Sequence, residues 1–312
     1  MENLILSFNI IFPLFFTMAL GYTLKLLKLY DDKTLKIMNN VVFKVFLPML
    51  LFYNIYNTSL QDKIDWKLLG FAAIGVICIY LATTIIIIVL EKDNSRRGVM
   101  IQGIFRSNFV LFGIPVATSI YGDGQVGVVA LLIAIVVPLF NMLSVVILEI
   151  FRGGKINVKK ILKGIITNPL IIASLLGILT LILKIRLPEA IVKSISDVSK
   201  MATPLSLIIL GGTFTFRKVK ASLKETVICV IGKLIVVPCI MLPISIMMGY
   251  RNMDLVALML IYASPTAVSS FTMAQKMDGD SDLAAQIVVF TSTFCILTVF
   301  AWIFILKQLS FI

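Results

Sequence analysis

Histidine is absent from this 312-residue chain. With it go the side chain that titrates near neutral pH and the commonest metal ligand. Charge is scarce, with Asp, Glu, Lys and Arg at 14% of residues. No Walker loop (G-x-x-x-x-G-K-S/T) occurs, so ATP is not the direct energy source. Paired carboxylates and nucleophile–base sets are missing from the apolar segments, which counts against an intramembrane hydrolase. No acid lies inside an apolar segment, and Glu149, at the end of one, is the acid expected within its reach. Cys78, Cys229, Cys239 and Cys295 have no metal-site spacing and are expected as small core residues. No metal and no cofactor is expected, and no enzyme activity. Alternating ten-residue strands are also lacking, which argues against an outer-membrane barrel.

What is present is apolar. Hydrophobic residues make up 59% of the chain, and mean hydropathy is +1.04. A soluble domain of this length could not cover such a surface with polar groups, so an all-α integral membrane protein is expected. The lipid bilayer is its expected partner. The net charge of +12 resides mostly in short loops, where it sets orientation, so no nucleic-acid partner is expected.

Ten apolar segments can be placed, at about 4–24, 37–56, 68–90, 99–121, 126–148, 161–183, 198–214, 227–248, 255–275 and 283–306. The seventh has room to begin earlier, as an amphipathic stretch from Pro188. The first, Leu4 to Leu24, has no basic n-region or cleavage site and is expected as a retained helix. Lys and Arg number 17 on the side of the odd loops and 8 on the other. A cytoplasmic-membrane protein with both termini outside is expected from that bias.

The chain resembles itself at a shift of 156 residues. Pro13, Gly21, Lys28, Lys44 and Pro48 meet Pro169, Gly177, Lys184, Lys200 and Pro204. From the third segment the shift is 157, pairing Ser107 with Ser264 and Gly122-Asp123 with Gly279-Asp280. Two five-segment repeats follow, 1–152 and 153–312. Five is odd, so the second copy enters the membrane from the opposite face. Inverted repeats of this kind are the architecture of many secondary carriers, with the site at the midplane between copies.

Segment four carries Arg106-Ser107-Asn108 and, further on, Gly113 and Pro115. Segment nine carries Ser264-Pro265-Thr266. Ser-Pro is a helix-start signal, with serine as cap and proline at the first helical position. Each segment is therefore expected as two half-helices. The positive ends of the second halves would point into the protein, an arrangement suited to an anion. Arg106 would cost ~2.5–3.5 kcal/mol at the centre of a lipid-exposed helix, so it should face protein or water. It could neutralise a substrate or pair with backbone carbonyls at the end of the first half-helix. Lys44 and Lys233 are expected to snorkel. Pro48 and Pro204 interrupt segments two and seven, and Asn141 lies deep in segment five, as interhelical glue or a neutral donor to a carboxylate.

Arg106-Ser-Asn-Phe-Val-Leu-Phe-Gly-Ile-Pro115, followed by Tyr121-Gly-Asp-Gly124, resembles the fourth-helix signature of the auxin efflux carrier family. Ala263-Ser-Pro-Thr-Ala-Val-Ser-Ser270 resembles its ninth helix. The likeness covers essentially the whole chain and looks like the bacterial branch, which includes malate and malonate permeases. It implies a bile acid sodium symporter-like fold of ten transmembrane helices in two inverted five-helix repeats, with broken helices four and nine crossing at the site. It further implies a homodimer and an elevator mechanism, in which helices 3–5 and 8–10 slide against a scaffold of helices 1, 2, 6 and 7. By position, Asn108, Pro115 and Pro265 fall at the crossover and Asn141 beside it. The expected substrate-binding set is Arg106, Ser107, Asn108, Asn141, Ser264, Pro265 and Thr266, for a small organic anion. Gly113, Pro115, Pro48 and Pro204 are the expected helix breaks. The coupling ion, proton or sodium, stays open. The alternatives are a sodium-coupled symporter of amphipathic or neutral substrates and a non-transporting receptor.

Overall fold

The computed structural model describes residues 2–57, 65–121, 127–152, 158–215 and 219–312. The expected repeat boundary at 152/153 and Gly122–Gly124 of the fourth-helix signature lie partly or wholly outside them. Within them the chain is all helical. Helix α1 spans Glu2–Leu26, and α2 spans Asp32–Tyr56. Asp31 opens α2 by accepting a bond from the Thr34 amide at 2.7 Å. That bond holds the exposed Asp31 carboxyl below its ordinary value. Helix α3 is Trp66–Leu90, α4 is Asn94–Phe105, α5 is Phe109–Tyr121 and α6 is Gly127–Ile150. Then come α7 (Val158–Ile166), α8 (Pro169–Ile182), α9 (Glu189–Ser199) and α10 (Ala202–Thr213). Helix α11 spans Lys220–Met247. The chain ends with α12 (Asn252–Ala263), α13 (Ser269–Lys276) and α14 (Ser281–Gln308).

Among the described residues, five stretches are long and apolar enough to cross a membrane: α2, α3, Leu131–Ile150 of α6, α11 and α14. Their outer faces carry large exposed apolar side chains, such as Ile74, Ile85 and Val89 on α3 and Leu297 on α14. On a multi-pass membrane protein such a surface meets lipid rather than water.

Prolines shape the helices in a consistent way. Helix α2 widens into a π turn at Val42–Phe46, directly before Leu47-Pro48. Helix α11 does the same at Gly232–Val236, directly before Val237-Pro238. A proline has no N–H to give, and its ring presses on the carbonyl four residues back. A widened turn at that place relieves the clash. Pro204 falls in the first turn of α10, where no amide donor is needed. The sixth segment, expected as one run, is split: Asn168 accepts a bond from the Leu170 amide at 2.9 Å and starts α8, with Pro169 at its first position. The seventh begins at Glu189, as its amphipathic stretch suggested, and re-forms at Ala202.

Two groupings stand out in the packing. Helix α1 lies along α10, and α2 along α8 and α9. Helices α3, α4 and α6 pack together, α11, α12 and α14 join them, and α1 also lies against α14. Helices α1 and α10 meet backbone to backbone: a Cβ built on Gly21 would overlap the Ile208 carbonyl, and one on Gly211 the Met18 carbonyl. Helix α12 is deeply buried, with Leu255 to Ala263 essentially without exposure.

The cysteines divide. Cys229 and Cys295 are buried as expected, whereas Cys78 and Cys239 lie exposed on apolar faces. Lys44 is exposed, but Lys233 does not snorkel. It is fully buried, because the π turn that holds it faces the packed interior rather than the rim.

Candidate functional site

The two interrupted segments break where the sequence is least helical. Helix α4 stops at Arg106, whose backbone is extended (φ −80, ψ 134). Ser107 and Asn108 follow, residues whose side chains compete with helical backbone bonds. Helix α5 restarts at Phe109, its ladder opened by the Asn108 carbonyl, which accepts from Leu111 at 3.2 Å and Phe112 at 3.3 Å. The second break differs from the sequence-based expectation. Ser264 closes α12 instead of opening the next helix, and α13 starts only at Ser269. Pro265 is the cause: its ring drives the preceding residue out of the helical region, and Ser264 sits at φ −66, ψ 154.

The breaks are bonded to each other. The Asn108 amide donates to the Pro265 carbonyl at 2.7 Å. Thr266 Oγ1 donates to the Gly103 carbonyl at 2.6 Å, and Ser107 Oγ to the Leu260 carbonyl at 3.3 Å. The Thr266 amide is taken by Thr291 Oγ1 on α14 at 3.2 Å. These bonds satisfy backbone groups that a broken helix would otherwise leave unpaired in an apolar interior. Thr266→Val should strip the Gly103 carbonyl of its donor and destabilise the protein by about 1–3 kcal/mol. A lowered unfolding midpoint in detergent would register the loss, and an unchanged midpoint would show the bond to be dispensable.

A cavity of about 130 Å³ opens beside this crossing. Its polar wall is formed by Arg106, Ser107, Asn108, Asn141 and Ser269, and by Asn54, Thr203 and Ser206 from α2 and α10. Leu47, Leu50, Val137 and Phe140 supply much of the apolar wall. Ala267, Val268 and Ser269 lead into α13, and Asn108, Val110 and Leu111 begin α5, so two helix N-termini share one cavity. Larger hollows of about 520 and 450 Å³ exist along α11, but their walls are mostly aliphatic and aromatic, with Thr83, Thr226 and Thr298 among them and no charged group.

Arg106 is the charge in this cavity. Only 4% of it is exposed. Nη2 donates to Asn141 Oδ1 and to Ser269 Oγ, each at 2.6 Å, and Nη1 lies 2.6 Å from Met273 Sδ. Its partners are thus side chains of α6 and α13, not the carbonyls ending α4. No carboxylate pairs with it among the described residues. Aromatic contacts fix the end of α4 from behind: Tyr80 meets Phe105 edge-on at 5.2 Å, and Phe105 lies 6.1 Å from Phe140. Asn141 Nδ2 donates to the Val137 carbonyl at 2.8 Å, which turns Oδ1 toward the guanidinium. Asn108 is 7% exposed, and its Nδ2 has no hydrogen-bond partner among the described residues.

The structure therefore brings Arg106, Ser107, Asn108 and Asn141 to one cavity. Ser264, Pro265 and Thr266 are buried nearby but do not line it; the next three residues do. Gly113 and Pro115 break nothing, since α5 runs through both. A Cβ at Gly113 would sit 3.0 Å from Val129 Cγ1, so its smallness serves contact with α6. The Pro115 side chain lies outside the described residues. Ser269, Thr203 and Ser206 were missed from the expected set. A signal for two of them exists: Thr203 and Ser206 stand 156 residues after Leu47 and Leu50, around the paired prolines.

The membrane transport protein family pattern matches residues 6–303. The chain belongs to this family, the auxin efflux carriers. Two archaeal relatives are similar over most of their length. An uncharacterized transporter of Methanocaldococcus jannaschii is 24% identical over 296 residues, covering 92% of this chain and 94% of the relative. An uncharacterized transporter of Methanothermobacter thermautotrophicus is 25% identical over 290 residues, covering 91% and 93%. This auxin efflux carrier family member is accordingly a multi-pass membrane transporter.

Proposed function

We propose that this transporter is a secondary carrier of small organic anions, with a carboxylate held between Arg106 and Asn108. The observation that carries the reading is Arg106: a guanidinium buried in a cavity, hydrogen-bonded to neutral side chains, with no carboxylate partner among the described residues. A buried charge of this kind is stable when something neutralises it. A carboxylate is the matching shape for the guanidinium fork. The N-termini of α5 and α13 add positive potential at the same place. Asn108 Nδ2 offers a neutral donor.

The transport cycle we propose is of the elevator type, in ten crossings that form two inverted repeats. Its moving body comprises α3–α6 and α11–α14, and its scaffold α1, α2 and α7–α10. The packing of α1 on α10 and of α2 on α8 and α9 supports the grouping. A homodimer in the cytoplasmic membrane, both termini outside, completes the proposal.

Proteoliposome uptake of a panel of short mono- and dicarboxylates tests the substrate class. Saturable uptake of at least one acid is expected; binding without flux would point to a receptor, and neither would sink the reading. Asn108→Ala should weaken that acid by about 10- to 100-fold, the worth of a hydrogen bond to a charged group. Isothermal titration would measure it, and unchanged affinity would remove Asn108 from the site.

A further inference from the structure

Lys233 takes no part in the cavity. Its side chain is fully buried, and Nζ has no hydrogen-bond partner among the described residues. It stands in the π turn of α11, where Trp302 Nε1 donates to the Leu234 carbonyl at 3.2 Å. Such single widened turns in a helix are frequent at functional sites. The neighbouring Gly232 backs on α4: a Cβ there would stand 3.3 Å from the Ile104 side chain, two residues before Arg106. Lys233 therefore belongs to a turn packed against the end of the first broken helix.

The elements packed on this turn are α4, α12, α14 and the rest of α11. Their interior titratable groups are Cys229, Tyr262 and Cys295, with Arg106 at the end of α4. Cys229 Sγ lies 3.8 Å from the Met100 carbonyl and Cys295 Sγ 3.1 Å from that of Ser292. The carboxylates Glu225, Asp254, Asp280 and Asp282 stand at helix starts, Arg96 and Arg97 in the first turn of α4, and Lys220, Lys224 and Lys307 near helix ends. Thus no described acid in the interior of these elements holds a permanent charge on the amine. Two buried hydroxyls on α12 and its cap, Tyr262 and Ser264, also have no partner among the described residues.

An ammonium buried without a partner costs several kcal/mol even after relaxation. A proton on Lys233 is therefore linked to the arrangement of the helices, because it is held only where the amine gains polar partners or water. We propose that Lys233 is the proton-binding site of this transporter, loaded in one arrangement of the broken helices and unloaded in another. The step adds one proton to the amine lone pair and breaks no bond in the protein. The role of that proton in driving substrate rests on the carrier reading above; the binding site itself does not.

The test is a pH jump, from alkaline to mildly acidic buffer, on substrate-free proteoliposomes adsorbed to a solid-supported membrane. Wild type should give a transient charge displacement, absent from Lys233→Met and Lys233→Gln, both monodisperse by gel filtration. Methionine suits the apolar surroundings and glutamine keeps polarity, so one folded variant suffices. An unchanged displacement in a folded variant, or none in wild type, overturns the proposal. Labelled malonate uptake in the same vesicles reports separately on the carrier reading. Charge displacement without malonate flux would count against malonate as substrate and leave the proton site standing.

Discussion

Arg106→Met is expected to abolish acid uptake, by about 100-fold or more, in protein that still folds. Truncating one partner of a buried, hydrogen-bonded charge pair costs about 2–5 kcal/mol, which is about 30- to several-thousand-fold in affinity. Methionine keeps the length and removes the charge. The fold should tolerate the change, because the variant also loses the cost of burying a guanidinium. It does leave Asn141 Oδ1 and Ser269 Oγ without their donor. Ligand protection separates the two effects. A saturating acid at 100 times Kd should stabilise wild type by about 2.7 kcal/mol and the variant hardly at all. Arg106→Lys should recover only part of the rate, since one ammonium cannot reproduce the fork that reaches two partners. Wild-type uptake by the methionine variant would remove Arg106 from the substrate site.

Gly211→Ala should be the most damaging added methyl group among the described glycines, with Gly21→Ala close behind. At both positions the added carbon would overlap backbone of the partner helix, Met18 and Ile208 respectively. Backbone cannot rotate aside as a side chain can, so α1 and α10 must part along their contact. Overpacking costs about 1–3 kcal/mol, and about 3 kcal/mol or more is expected here. In hydrocarbon, close approach through small residues is a main source of helix association. Gly70→Ala is the control. It adds a methyl on α3 where nothing lies within 4 Å, and helix propensity alone should make it stabilising by about 0.5–1 kcal/mol. Thermal unfolding in detergent compares the three. Equal midpoints for Gly211→Ala and Gly70→Ala would mean the contact is looser than described.

Much of the site was legible from local chemistry. Ser107-Asn108 within an apolar run marked the first break, and Arg106 marked the place that needed protein around it. Ser264-Pro265 marked the second break but misled on its geometry. A Ser-Pro pair satisfies the start of a helix in isolation. Here the same proline ring ends the preceding helix, and Thr266 is tied to Gly103 and Thr291, residues far away in the chain. Ser269 was hidden for the same reason: its contact with Arg106 depends on where α13 resumes. Lys233 was misjudged because distance from a segment end says nothing of which face is buried. Pro238 was the available clue, since a π turn precedes it as one precedes Pro48, and Lys233 falls within that turn.

The bonded crossing also dictates how this protein can be made. Arg106 leaves the ribosome long before Ser269, which lies 163 residues later. At about 5–20 residues per second, roughly 8–33 s pass before α13 exists. During that interval the α4–α5 pair has neither Pro265 nor Thr266 to bond with. The first half of the chain must therefore wait in the bilayer with an unfinished junction, sheltered by its own α6 or by the insertion machinery. Biogenesis, and not only transport, places a demand on Asn141, which is already synthesised in that interval and can hold the guanidinium until the rest arrives.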